Sequence, residues 1–298
     1  MDHEFPAATI AEMHTLLTQW YSHSARDLPW RDDSVSPWGI LVCEVMSQQT
    51  PVARVVPTWL TWMHRWPTPP AMARASAAEV LIAWDRLGYP RRALRLLECA
   101  RILTEHHSGK LPKDRNALLA LPGIGEYTAD ALLAFAFHAY SVVLDTNIRR
   151  VLARWHGDAF PTAHLTKAER ERATIFVPKE GKDAARWNQA VMELGAIVCT
   201  ATSPQCQNCP VAELCGWKLD GYPRPATTAS AAPQKFAGTQ REARGKIMAV
   251  LRAEPDSTFA HADLLQASGL PTERFTPALQ ALVHDGLARE LNSGFSLP

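Results

Sequence analysis

Four cysteines crowd one stretch, CTATSPQCQNCPVAELC, at Cys199, Cys206, Cys209 and Cys215. Thiolates bind metals, and four on one loop suit either a tetrahedral zinc or an iron–sulfur cluster. Six, two and five residues separate successive cysteines; that spacing leaves both metals open, with an unmetallated loop as a third reading. A disulfide framework suits a cytosolic chain of this size poorly. Cys43 and Cys99 stand alone inside helical patterns and read as small buried apolar residues.

Two carboxylates also stand out. Asp145 interrupts the apolar start of VLDTNIRRVL, where an aspartate can cap the following helix and stay ionised at its N-terminus. Glu44 lies between Cys43 and Val45 on an otherwise apolar helix. Desolvation there raises a carboxyl's pKa and keeps a proton available, whereas a solvated or arginine-paired acid is the structural alternative. A third feature is LPGIGEYTADALLAFAF, in which Gly123 and Gly125 form a tight turn before a long helix. The backbone N–H groups freed there can bind an anion, unless the turn merely joins two helices.

The elements that must position these residues are overwhelmingly helical. Ser36-Pro37 reads as a cap and first-turn proline, and Thr50-Pro51 ends one helix and begins the next. Ser76 with Glu79 and Thr166 with Glu169 spell capping boxes, and Pro90 opens the basic helix RRALRLLECARIL. Alternating strand patterns are scarce until the last dozen residues. GYPRPATTASAAPQ, from Gly221 to Gln234, reads as an exposed linker. Beyond it, three short helices and a hairpin around NSG resemble a winged helix. Its third helix mixes Arg274, Thr276 and Gln280 with Glu273 and Asp285, so docking is at least as good a role for it as reading a DNA groove.

Composition bounds the function. With 47% hydrophobic residues in 298, the chain can build two cores and an appended module. A net charge of +1 means that any nucleic-acid surface is a local basic patch. No apolar run approaches a membrane span, and MDHEFPAATI lacks a basic start followed by an apolar stretch. The expectation is a soluble intracellular protein with no membrane partner.

LPGIGEYTADALL, then VLDTNIRRVL, then the four-cysteine loop, in that order, resembles the helix-hairpin-helix DNA glycosylase superfamily, which includes endonuclease III and the MutY-like adenine DNA glycosylases. The resemblance spans Leu28 to Cys215. It implies an all-α, two-lobed helix-hairpin-helix glycosylase core with a [4Fe-4S] loop, plus a small winged-helix-like α+β module at the C-terminus. The implied domains are 28–137, carrying the hairpin; 1–27 with 138–220, carrying the cluster; a linker at 221–236; and the module at 237–298. The resemblance assigns Cys199, Cys206, Cys209 and Cys215 to the cluster and Gly123 and Gly125 to DNA phosphates.

Within the superfamily the residues point to the monofunctional, MutY-like branch. Tyr127 stands where bifunctional members carry a Schiff-base lysine, and tyrosine cannot form an imine. CEVMSQQT resembles the segment with the catalytic glutamate, which maps to Glu44, and DLPWR resembles the adenine-pocket strip, mapping to Trp30 and Arg31. Gln48, Gln49 and Thr50 match a wedge at the opposite base, Leu87 and Tyr89 a second wedge, and Gln189 the contact to the flipped adenine's polar edge. Arg86, Arg91, Arg92, Arg149 and Arg150 are candidates for phosphate contacts. Glu44 would protonate the departing purine, Asp145 would meet the oxocarbenium-like sugar, and Tyr127 and Asn147 would orient the two acids.

Two departures qualify the likeness: Ser47 replaces a usual apolar residue, and the C-terminal module is too short for the large domain with which MutY proteins read 8-oxoguanine. The short form resembles actinobacterial relatives. The expected enzyme is a bacterial, cytoplasmic, nucleoid-associated monomer that removes adenine opposite 8-oxoguanine or G from double-stranded DNA. Alternatives are a glycosylase for T or U opposite G, which the Glu44 segment opposes, and a non-catalytic iron–sulfur DNA sensor, which the paired acids oppose.

Overall fold

Capping residues set most helix boundaries. In the computed structural model, which describes residues 3–223 and 236–298, Ser36 Oγ accepts from Gly39 N–H at the start of one helix, and Ser76 and Glu79 close a full capping box. The second expected box forms only by half. Thr166 caps Glu169, but the Glu169 carboxylate turns away to Arg149 at 2.6 Å, because a guanidinium is a stronger partner than a backbone amide. Most of the expected linker, 224–235, lies outside the described residues.

The helices in chain order are α1 (Ala7–Ser24), α2 (Pro37–Ser47), α3 (Val52–Arg65), α4 (Pro69–Ala73), α5 (Ala77–Trp84), α6 (Arg91–His106), α7 (Arg115–Leu119), α8 (Glu126–Phe135), α9 (Thr146–Trp155), α10 (Lys167–Thr174), α11 (Gly181–Ile197), α12 (Gly216–Leu219), α13 (Gln240–Ala253), α14 (His261–Ser268) and α15 (Thr272–His284). The strands described are β1 (Arg289–Leu291) and β2 (Gly294–Ser296), paired antiparallel with Glu290 opposite Phe295, and Phe259 bridges to Phe295. Among the described residues, no helix is long and apolar enough to cross a membrane.

The described residues fall into two compact units, 3–41 with 112–120 and 124–223, and 42–111 with 121–123 and 236–298. In the first, α1, α8, α9 and α11 surround a core of Met13, Leu17, Trp155, Phe176, Trp187 and Leu194. Close approach of α9 and α11 depends on Gly195: a Cβ there would lie 2.7 Å from Asn147 Cβ and 2.9 Å from its carbonyl oxygen.

In the second unit, the indole of Trp62 packs edge-on against those of Trp66 and Trp84. The expected three helices and hairpin of the C-terminal module are present as α13–α15 and β1–β2. Their core, with Ile247, Met248, Leu251, Phe275 and Leu282, also takes in Leu81 of α5, and Ile82 and Leu94 pack against it.

Candidate active site and iron–sulfur loop

The four expected cluster ligands are each partly buried and none is in a disulfide. They line one small cavity together with Arg154, Leu194, Val198 and Trp217. Four thiols around one cavity form a donor set that either an iron–sulfur cluster or a tetrahedral zinc takes. Burial pushes the thiols of Cys209 and Cys215 up, to about 12 and about 11. A bound metal or a neighbouring cation would hold them as thiolates.

Sequence reading missed the arginine that braces this loop. Arg154, 2% exposed, donates to Cys199 Sγ at 3.1 Å, to the Thr200 carbonyl at 2.8 Å and to the Ala159 carbonyl at 3.2 Å, and its guanidinium lies 4.7 Å from the Trp217 ring centroid. A buried guanidinium needs such a set of acceptors, and a cation beside a thiolate stabilises it.

Asp145 caps α9. One carboxylate oxygen accepts from Ile148 N–H at 2.6 Å and the other from Asn147 Nδ2 at 2.8 Å. Burial pushes its carboxyl above the usual 3.8, opposed by those bonds and by the Arg150 charge. Arg150 continues the chain. Its Nη2 donates to Asn147 Oδ1 at 2.9 Å and to the Gly195 carbonyl at 2.7 Å, and its Nε donates to the Cys199 carbonyl at 2.9 Å. A continuous set of bonds therefore joins the Asp145 carboxylate to the first cysteine. Tyr127, in the first turn of α8, packs against the core of the same unit.

Arg31 and Gln189 belong to one cluster with three residues not foreseen from the sequence. Glu193 is fully buried and accepts from Arg26 Nε at 2.7 Å, from Arg26 Nη2 at 2.9 Å and from Arg31 Nη2 at 2.7 Å. Burial opposes its charge, but these bonds win and hold the carboxyl down at about 2. The Tyr21 hydroxyl donates to Gln189 Oε1 at 3.4 Å, and Arg31 stands 5.4 Å from the Tyr21 ring centroid. Trp30 lies beside Arg31 in a 3-10 turn, half-buried. The signal for Glu193 was available: like Glu44, it is an acid inside an apolar helical run, one turn after Gln189.

In the second unit Glu44 is half-buried on α2, between buried Cys43 and Val45. The two expected wedges behave as one structure. Thr50 is buried, its hydroxyl donating to the Leu87 carbonyl at 3.2 Å, and Leu87 is only 5% exposed. The outward tips are Gln49 and Tyr89, both exposed, with φ of +53° and +47°. Non-glycine residues avoid that left-handed region, and such strain concentrates at functional sites. Arg92 holds both tips. Nη1 donates to the carbonyls of Val45 at 2.7 Å and Gln48 at 2.6 Å, and Nη2 to Thr50 Oγ1 at 3.1 Å and the Gly88 carbonyl at 3.0 Å. Arg92, Arg149 and Arg150, candidates for phosphate contacts, are thus engaged internally, whereas Arg86 and Arg91 are exposed.

Gly123 and Gly125 are both exposed in the turn ahead of α8. Gly123 needs its freedom, since φ is +81° and an added Cβ would lie 3.1 Å from Arg95 Cβ. Gly125 is the N-cap of α8, and beyond its own chain neighbours nothing lies within 4 Å of where its Cβ would be, leaving the backbone open to an approaching anion.

A profile for the HhH-GPD superfamily of base excision DNA repair proteins matches residues 42–174, and one for the iron–sulfur binding domain of endonuclease III matches 199–215. The adenine DNA glycosylase of Mycolicibacterium smegmatis is 46% identical over 280 residues, 93% of each chain. That of Mycobacterium tuberculosis is 44% identical over 286 residues, 95% of this chain and 93% of its own. This chain belongs to the adenine DNA glycosylase family. It is a DNA-binding enzyme of base excision repair, and its four-cysteine loop is a [4Fe-4S] site. Membership extends to shorter matches: the human adenine DNA glycosylase is 39% identical over 220 residues, 70% of this chain and 40% of its own. Among solved structures, a thermostable thymine-DNA glycosylase aligns over 71% of this chain and 97% of its own with a TM-score of 0.64 at 26% identity. Endonuclease III in a non-covalent DNA complex aligns over 74% and 100% with 0.61 at 22% identity, a likeness of fold.

Proposed function

We propose that the protein removes adenine opposite 8-oxoguanine or G from double-stranded DNA, acting as a monomer in the bacterial cytoplasm near the nucleoid. The observation that carries the reading is Glu44, half-buried on α2 between Cys43 and Val45 and followed by Gln48, Gln49 and Thr50, in a chain where Asp145 caps α9 and Tyr127 stands where a Schiff-base mechanism needs an amine. An adenine released as an anion is a poor leaving group, so Glu44 donates its proton to a purine ring nitrogen. The C1′–N9 bond then breaks with its electron pair going to the base. Asp145 faces the positive charge that develops on the sugar until water adds at C1′ and gives up a proton to the Glu44 carboxylate. The base reaches these groups only by leaving the duplex. In this reading Trp30, Arg31 and Gln189 receive it, Gln48, Gln49, Thr50, Leu87 and Tyr89 attend the gap and the orphan base, and Gly123 and Gly125 hold phosphate.

The test uses purified protein and labelled duplexes with A opposite 8-oxoguanine, A opposite G, T opposite G and U opposite G, with abasic sites cleaved by alkali. Adenine release should fall at least about 100-fold in Glu44→Gln while duplex binding persists. Release of T or U with adenine untouched would overturn the reading in favour of the thymine-DNA glycosylase likeness, and unchanged turnover in Glu44→Gln would remove Glu44 from the chemistry.

A further inference from the structure

The C-terminal module has little free charge on α15 with which to read a groove. Arg274 is held by Glu242 at 2.9 Å and by the Thr239 carbonyl at 3.0 Å, and Asp285 accepts from Arg244 and from Arg91. The module instead contacts the segment that carries Tyr89 at several points. Arg91 of α6 reaches Asp285 at 3.2 Å, Arg252 donates to the Asp85 carbonyl at 2.6 Å, and Leu81 enters the module's core. From this anchored position the first turn of α13 brings the Arg241 guanidinium to 5.2 Å from the Tyr89 ring centroid.

Tyr89 is itself unusual, 42% exposed on a left-handed backbone, with Arg92 at 5.6 Å from the ring. Arg241 is exposed beside it. An exposed cation–π pair adds little to folding, but a guanidinium set against a solvent-facing ring restricts its orientation. Preorganised side chains lower the cost of engaging a ligand. We propose that Arg241 is a positioning residue for Tyr89, through which the module tunes engagement of the DNA strand carrying the orphan base. The inference rests on the proposed role of Tyr89 beside that base.

The test takes the full-length protein as wild type, Arg241→Ala, Arg241→Lys, Tyr89→Ala and the double variant. Two quantities are read: the ratio of single-turnover adenine release opposite 8-oxoguanine to that opposite G, and affinity for a duplex with a stable abasic analogue opposite each base. The affinity holds as a readout whichever base the enzyme releases. Arg241→Ala should lower discrimination or affinity by roughly two- to fivefold, Arg241→Lys should recover most of the loss, and the double variant should be no worse than Tyr89→Ala. Losses that add in the double variant would mean that Arg241 touches DNA by itself, and a neutral Arg241→Ala beside an impaired Tyr89→Ala would mean that the contact is idle. Either sinks the proposal alone. A neutral Tyr89→Ala removes the orphan-base role of Tyr89 and the proposal with it.

Discussion

Glu193 shows what a single buried charge does in this fold. Its folded pKa of about 2 lies below the ordinary 4.5, so its contribution to stability is fully present above pH 4.5 and is lost as pH falls toward 2. Breaking a buried pair by removing one partner costs roughly 3–5 kcal/mol. Because Arg26 and Arg31 keep 37% and 19% of their side chains exposed, solvent screening brings the cost of Glu193→Gln below that range, to about 2–3 kcal/mol at pH 7. Urea unfolding at pH 7 and at pH 3 checks this: the gap between wild type and variant should narrow at the lower pH, and a gap that widened would contradict the sign. The variant also releases Arg31, so it should bind a duplex containing a flipped-base analogue less tightly.

At the scale of elements, the fold relies on a few side chains that tie chain segments together. Arg92 is the clearest, because its guanidinium gathers acceptors from residues 45–50 and 87–88. Burial lowers its pKa to about 10, so it remains charged at neutral pH. Arg92→Ala leaves several of these carbonyls short of a donor and should destabilise by about 3 kcal/mol. Local loosening is its signature: amide exchange should quicken at 47–50 and 87–89 ahead of α3, α5 and α6. Uniform acceleration across the unit would mean that Arg92 acts globally and not as a clamp on the two tips. Asn147, Arg150 and Gly195 play the matching part between α9 and α11, where the absent Cβ of Gly195 lets the helices approach and Arg150 reach both the capping network and the cysteine loop.

At the scale of the whole molecule, the C-terminal module shares its core with the helices before it: Leu81 of α5, fully buried, completes that core. Leu81→Ala should destabilise by about 3 kcal/mol. Because one core serves both, it should lower exchange protection in α5 and in α13 together. Loss confined to α5, with α13 unchanged, would show the module to be independently stable.

Local chemistry was legible in the sequence because it depends on neighbours along the chain. The helix caps at Ser36 and Ser76, the capping role of Asp145, the tight turn at Gly123 and the cysteine spacing of the cluster loop all involve residues a few positions apart. The helical character of the chain and the three helices and hairpin of the module followed from the same local signals, whereas the two-lobed core was implied by the family resemblance. Tertiary structure decided the partners of long side chains, since an arginine can bond any acceptor within reach and sequence separation does not limit that reach. The Glu169 carboxylate went to Arg149 instead of its own cap. Arg92, Arg149 and Arg150 turned inward instead of outward to phosphate, Glu193 came to hold Arg31 across 162 residues, and Arg241 came to lie against Tyr89 because a core that includes Leu81 brings α13 to that loop.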